Sequence, residues 1–358
     1  GEMLRSIDPF GNATSYEYDA LGRVIATTTP SGATTRFEFD AGGRMLTTTD
    51  PLQREVRQTY EVRGLVTERS LPGVGGQRAR VNYEFDGRGL TTAEIDPLGL
   101  RIAYEYDDRG KMTRMATPAG KDTIYEYDDL GLLSATIDAA GSRVAASYDE
   151  FGRRTSFSFP ATFNEVTFEY DLLDRLTSRT DALGNTLSQS YNLRGLVSTI
   201  VNGRGQFIDL EYDVAGRVTA MHTQERSVVH ELDDNGNIIS SMGDGANPIL
   251  RDFDALDRLV ARTDEWGNTV SYAYDANGNL NILTYSDGSQ VTYGYDIIDR
   301  LIEVEDWDGN VTRYEYDEAD NLSRVALPDG SVIEYRYDIA NRMLGVTDMT
   351  GLGEELYR

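Results

Sequence analysis

Three pairs of adjacent carboxylates, Asp107-Asp108, Asp128-Asp129 and Asp233-Asp234, are the first residues whose types could do chemistry. Paired acids serve acid–base catalysis, as in carbohydrate hydrolysis, and they also hold Ca²⁺. The chain has only two histidines, His222 and His230, eight residues apart. A metal pair would want further ligands. There is no cysteine, which removes thiolate chemistry and a disulfide framework. No glycine-rich phosphate loop opens a helix, and no nucleophile elbow sits in a strand–helix context. The Asp-Asp-Asn-Gly-Asn run at Asp233 fits no EF-hand loop. What the acid pairs share is a place in a recurring phrase, so they read as turn residues. No cofactor is implied.

The phrase is an aromatic, an acid, two variable residues, a glycine and often an arginine. With the acid as position zero, it falls at Asp19, Asp40, Glu61, Asp86, Asp107, Asp128, Asp149, Asp171, Asn192, Asp213, Asp233, Asp254, Asp275, Asp296, Asp317 and Asp338. Of the fifteen intervals between these sixteen repeats, twelve are 21 residues and the others are 25, 22 and 20. The preceding residue is aromatic in every repeat but one, where Leu232 stands. That position and the one two before it hold 20 of the 22 tyrosines. The repeat motif is carried by Tyr18, Asp19, Gly22 and Arg23, and again by Phe39, Asp40, Gly43 and Arg44. It returns as Tyr106, Asp107, Gly110; as Tyr127, Asp128, Gly131; and as Tyr212, Asp213, Gly216, Arg217. Tyr274, Asp275, Gly278 and Tyr295, Asp296, Arg300 continue it.

Position three after zero is Gly in eleven repeats, Asp at 174, 257, 299 and 320, and Asn at 341. These residues best tolerate a left-handed backbone, so the spacing predicts φ > 0 there in a tight turn. The acid at zero suits the same turn, because its carboxylate can accept a backbone N–H two residues on. A second turn, with Pro two residues before Gly, ends at Gly32, Gly99, Gly120 and Gly330. Between turns, apolar and polar residues alternate, as in Tyr16-Glu17-Tyr18. Each repeat is therefore two strands of about five to seven residues. The fold class is all-β, with about 32 strands in a β-strip. One hairpin cannot bury its aromatic face, so neighbours must stack, and a strip on the order of 150 Å long, at about 4.8 Å per strand, must curl into a spiral. Arginines four after zero can pair with the carboxylate of their own or a neighbouring repeat, stack on a tyrosine, or stand as solvated charges.

The net charge of -26 disfavours nucleic acid and anionic lipid as partners. No apolar stretch approaches the 18 residues of a membrane helix, and Gly1 to Arg5 does not resemble a signal peptide. Three segments break the rhythm: Leu71 to Gln77, Phe159 to Asn164, and Gly243 to Pro248. They read as tolerated drift, as bends, or as contact sites.

Tyr-Asp-x-x-Gly-Arg at 21-residue spacing, with Pro-x-Gly turns, resembles the YD-repeat or Rhs-repeat family over the whole chain. The resemblance implies a hollow β-shell. Its members include bacterial polymorphic toxins, the cocoon components of insecticidal toxin complexes, and teneurins. It implies a non-catalytic structural segment that encapsulates or delivers a C-terminal toxin polypeptide. A cell-surface or extracellular adhesive scaffold that binds a glycan or a protein is the alternative. The implied partners are the enclosed polypeptide and the rest of the shell, and the implied location is secreted or at the cell surface. Asp96-Pro97-Leu98-Gly99-Leu100 superficially matches the family's self-cleavage segment, but it occupies an ordinary turn slot, equivalent to Asp8-Pro9-Phe10-Gly11. Residues 1–358 read as one continuous array that is an internal piece of a larger shell protein. Its terminal strand edges are expected to allow self-association.

Overall fold

The computed structural model describes residues 2–159, 164–348 and 354–357. The apolar turn read at Pro160 to Phe163, and the closing residues Gly351 to Gly353 with Arg358, lie outside the described residues. Among those described there are 34 strands, from Arg5–Ile7 to Glu354–Tyr357, and a single three-residue 3-10 turn at Val74–Gly76. The chain is all-β. Among the described residues no helix is long and apolar enough to cross a membrane.

The repeat folds as its pattern dictates. Ala13–Tyr18 pairs antiparallel with Val24–Thr28, which pairs in turn with Thr34–Phe39. In the first hairpin Tyr16 faces Thr27 and Glu17 faces Ala26; the register then shifts and Tyr18 faces Val24. The same shift recurs beside Phe39, Tyr127, Tyr212 and Tyr316. Its cause is the three-residue loop, whose last residue is left-handed and forms a bulge. The Gly22 N–H donates to Asp19 O at 3.0 Å, and the Asp19 N–H to Arg23 O at 3.0 Å. All sixteen residues three after zero have positive φ, including Asp174 at 63°, Asp320 at 68° and Asn341 at 60°. The second turn closes in the same way, as with Gly32 N–H to Thr29 O at 2.9 Å. Gln53 takes its left-handed position at φ 63°, the slot that Gly99 fills in the equivalent turn.

Two faces result. The aromatics and the apolar residue five after zero share one; the glutamate between the aromatics points to the other. Among the described residues no large side chain is fully buried. Among the buried residues is a set of small ones: Ala26, Ala93, Ala135, Ala220, Ser156 and Ser240. Each lies seven after zero, directly across from the residue two before zero, as Ala26 from Glu17 and Ala220 from Glu211. Long charged side chains cover small neighbours with their stems. Ion pairs lace this face, including Arg101–Glu84 at 2.7 Å, Arg143–Glu126 at 2.8 Å and Arg313–Glu303 at 2.9 Å.

The irregular intervals have local causes. The four extra residues after Glu61 lengthen one hairpin to Val66–Pro72 and Arg78–Phe85. The short interval before Asp233 comes from a tight turn, Thr223 N–H to Arg226 O at 2.7 Å. At Gly243 to Pro248, Asp244 Oδ2 accepts the Ser227 N–H at 2.8 Å.

Contacts divide the chain into two compact units. One comprises residues 1–101, 252–263 and 267–358; the other comprises 102–251 with 264–266. Within the first unit, second turns of its early stretch meet acid turns of its late stretch. The Arg258 guanidinium lies 5.4 Å from the Phe10 ring centroid. Asn277 Nδ2 donates to Ser31 Oγ at 2.9 Å, and Arg54 Nη1 to Asp320 Oδ1 at 2.6 Å. The tip of the lengthened hairpin joins this seam, with the Gly75 N–H donating to Glu318 Oε2 at 3.3 Å.

Candidate functional site in the repeat turns

The acid at zero caps its own turn. Asp19 Oδ1 accepts the Leu21 and Arg23 N–H groups at 2.9 and 3.0 Å, and Oδ2 accepts Arg23 Nε at 2.6 Å. Asp40 does the same with Gly42 and Arg44, and Asp296 with Ile298 and Arg300. Asp213 binds the Arg217 N–H and Nε. Asp275 receives Asn277 and Asn279 N–H groups, with Asn279 Nδ2 in place of the arginine. The hydrogen bonds from Arg23 hold the Asp19 carboxyl below the usual carboxylate range. Those from Arg44 and from Arg217 do so at Asp40 and Asp213.

The arginine four after zero makes three contacts at once. Beyond its own acid, Arg23 donates to Asp40 O of the next repeat at 3.2 Å and stacks on Phe39, 4.8 Å from the centroid. Arg44 reaches Glu61 O and stacks on Tyr60 at 5.1 Å. Arg217 reaches Asp233 O at 2.9 Å. Arg300 stacks on Tyr316 at 4.5 Å, and Lys111 takes the same place over Tyr127 at 5.2 Å. Most of the tyrosines at this position are then fastened backward by their hydroxyls. Tyr18 Oη donates to Met3 O, Tyr127 Oη to Met112 O at 2.8 Å and Tyr212 Oη to Val197 O at 2.6 Å. Tyr274 and Tyr295 reach Leu259 O and Leu280 O. A phenol half-buried in an apolar face needs such a partner. Burial raises the Tyr127 phenol, with the Asp107 carboxylate adding to it, so the hydroxyl stays a neutral donor.

In three of the four repeats with Leu at position four an arginine stands at position two, as Arg63, Arg88 and Arg194; the repeat with Leu132 has Leu130 there. Arg63 donates to Asp86 O at 2.9 Å and Arg194 to Asp213 O at 2.7 Å. The motif pattern overlooked these two, although the alternation of Arg and Leu between the positions is visible in the aligned repeats. The left-handed aspartates also have a use. Asp174 Oδ1 accepts Arg153 Nη1 at 2.6 Å, and Asp299 Oδ1 accepts Asn279 Nδ2 at 2.7 Å.

The possible chemical groups are not assembled into a site. Asp107, Asp128 and Asp233 bind their own turn amides. His222 faces Ser227 and His230 faces Ser241; three residues separate Ser227 from His230 on one strand, so the imidazoles lie on opposite faces. Asp96 caps Leu98 and Leu100, which makes its segment a plain turn. Among the described residues no three His, Asp or Glu gather in a metal-binding group. A groove of about 410 Å³ in the second unit, lined by Leu187, Ile200, Phe207 and Ile208, has Glu225 as its one titratable side chain.

This is a protein built from acid-capped hairpins clamped in series by arginine and tyrosine. The teneurin YD-shell model matches residues 125–297, and the RHS repeat model matches 1–34, 18–55, 85–122, 295–332 and 316–352. The chain belongs to the YD-repeat, or Rhs-repeat, family. No curated protein matches it by sequence. Among solved structures it is similar to the TcdB2-TccC3-TEV crystal structure, at 15% identity and TM-score 0.82 over 97% of this chain. It is also similar to the Tc holotoxin pore of Photorhabdus luminescens, at 15% identity and TM-score 0.81 over 96%. The likeness is one of fold. The chain spans 22% of the length of each of those chains.

Proposed function

We propose that this chain is a non-catalytic structural segment of a bacterial YD-repeat shell that encapsulates or delivers a C-terminal toxin polypeptide. In this reading its two units are parts of one continuous array internal to a larger shell protein, secreted or displayed at the cell surface. The observation that carries it is the agreement of nearly the whole chain with a stretch of the toxin-complex fold. The use of the turn acids as caps supports a scaffold over a hydrolase. Limited proteolysis of the full-length gene product tests the proposal. A downstream polypeptide that resists added protease, and loses that resistance when ten residues are deleted between Tyr106 and Glu126, is the expected result. A downstream polypeptide cleaved as fast with the strip intact would overturn enclosure and leave the adhesive scaffold, which glycan and cell-binding assays address.

A further inference from the structure

The seam inside the first unit shows what the acid-turn edge of this strip binds. It joins second turns at Asp8–Gly11, Thr29–Gly32 and Asp50–Gln53 to acid turns at Asp254, Asp275 and Asp317. Docking there covers the turn tips. Leu256 and Ile297, on late-stretch turns, are 38% and 44% exposed. The corresponding tips of the second unit stand out: Leu172 at 102%, Leu193 at 107%, Leu173 at 72% and Phe151 at 71%.

The polar half of the seam is prepared there as well. At the seam, Asp320 Oδ1 accepts Arg300 from the preceding repeat and Arg54 from across, both at 2.6 Å. Arg54 directly follows the left-handed Gln53. In the second unit, Asp174 is likewise left-handed and accepts Arg153 from the preceding repeat at 2.6 Å, while its side chain is 70% exposed. Aspartate is strained at positive φ where glycine is not, so its presence asks for a compensating contact. Four of the five non-glycine residues at this position lie between Asp254 and Arg342, the stretch that holds the acid turns of the seam; Asp174 is the fifth.

We propose that the edge around Asp174, with Leu172 and Leu173, is a docking surface for a second turn that carries a cation directly after its left-handed residue. The occupant is a second copy of this chain presenting Thr117 to Lys121. Gly120 is left-handed at φ 67° and Lys121 follows it, exposed, in the slot of Arg54. At the seam the adjacent second turns Asp8–Gly11 and Thr29–Gly32 meet the adjacent acid turns of Asp254 and Asp275, and Asp50–Gln53 meets that of Asp317. The contact joins two different edges, so it is heterologous and can propagate. It rests on the fold and needs no enclosed cargo, so its failure leaves the shell reading untouched.

Sedimentation velocity of the whole chain over a concentration series tests it. The expected result is concentration-dependent association, weakened about tenfold or more by Asp174→Lys and by Lys121→Asp, the loss expected when an exposed pair is turned into a like-charge contact. An equimolar mixture of those two variants then restores the association, because one contact pairs the two reversed charges and the other pairs the unchanged Asp174 and Lys121. Asp174→Asn, which tolerates the same backbone, weakens association without the strain of lysine. Circular dichroism checks that each variant is folded. A monomeric wild type at every concentration, or folded charge-reversed variants that associate like wild type, would overturn the proposal.

Discussion

At the residue scale the turn is decided by one backbone angle. Gly216 sits at φ +86°, and a Cβ built there meets nothing nearer than Arg194 Nη2 at 3.5 Å. A substitution therefore reports backbone strain with little steric clash. At Gly131 a Cβ would also meet Lys111 Cε at 2.8 Å, which mixes the two effects. Gly216→Val is expected to destabilise by about 1–3 kcal/mol, and Gly216→Asn by clearly less. Thermal melts of the two variants check this, and equal melting temperatures would remove the strain argument. The five natural Asp and Asn residues at this position already show which side chains it accepts.

At the scale of the element, the hairpin is stable through what it passes to its neighbour. Tyr191 is stacked under Arg175 at 4.2 Å and donates to Leu176 O at 2.6 Å. Tyr191→Phe keeps the ring and removes the hydroxyl, which should cost about 1 kcal/mol because its bond to Leu176 O and the one it accepts from Gln189 Nε2 are both lost, while Gln189 Nε2 keeps its own bond to Leu176 O. Chemical denaturation measures it; an unchanged midpoint would mean water replaces the hydroxyl without loss. A larger test follows from serial clamping. Deleting Tyr106 through Glu126 removes one 21-residue period and brings Glu105 to Tyr127 in the original phase. That variant should fold as a shorter array, whereas deleting ten residues removes one strand and one turn of a repeat, so every later acid turn would fall on the opposite edge of the strip. Circular dichroism and protease resistance of the two deletions should differ; identical behaviour would show that the period is not structural.

At the scale of the whole molecule, the turn acids act together. Asp19, Asp40, Asp171 and Asp213 are among the carboxylates held below their ordinary range by hydrogen bonds from the arginine four residues on. A lowered folded-state pKa gives stability that is fully present above the unfolded value, about pH 3.9, and is lost as pH falls through the folded value. Melting temperature should therefore hold from neutral pH down to about pH 4 and drop steeply below it. A gradual decline already under way at pH 6 would point to other groups. The seam adds a second molecular-scale expectation. Arg54 is mostly buried between Asp50 and Asp320; burial opposes its charge, but the bonds from the two carboxylates raise its pKa overall. Arg54→Ala should speed amide exchange together around residues 50–54 and 317–321, leaving the hairpins of 102–251 unchanged. Faster exchange at only one of the two turns would mean that they are not coupled.

The period, the strand pairs and every left-handed residue of the acid turns were legible in the sequence. All three are local consequences of side-chain alternation and of which residues tolerate positive φ. The resemblance of the phrase to a repeat family was legible for the same reason. Gln53 was not, because nothing local to it favours a left-handed backbone; only its slot beside Gly99 hints at it. The small residues seven after zero were present as a column, but their burial depends on the glutamates across the strand. What tertiary structure alone decided is which turns meet across the seam. Arg54 and Asp320 stand 266 residues apart. Their meeting is set by small twists summed over many hairpins, and a sum of that kind leaves no mark in any one repeat.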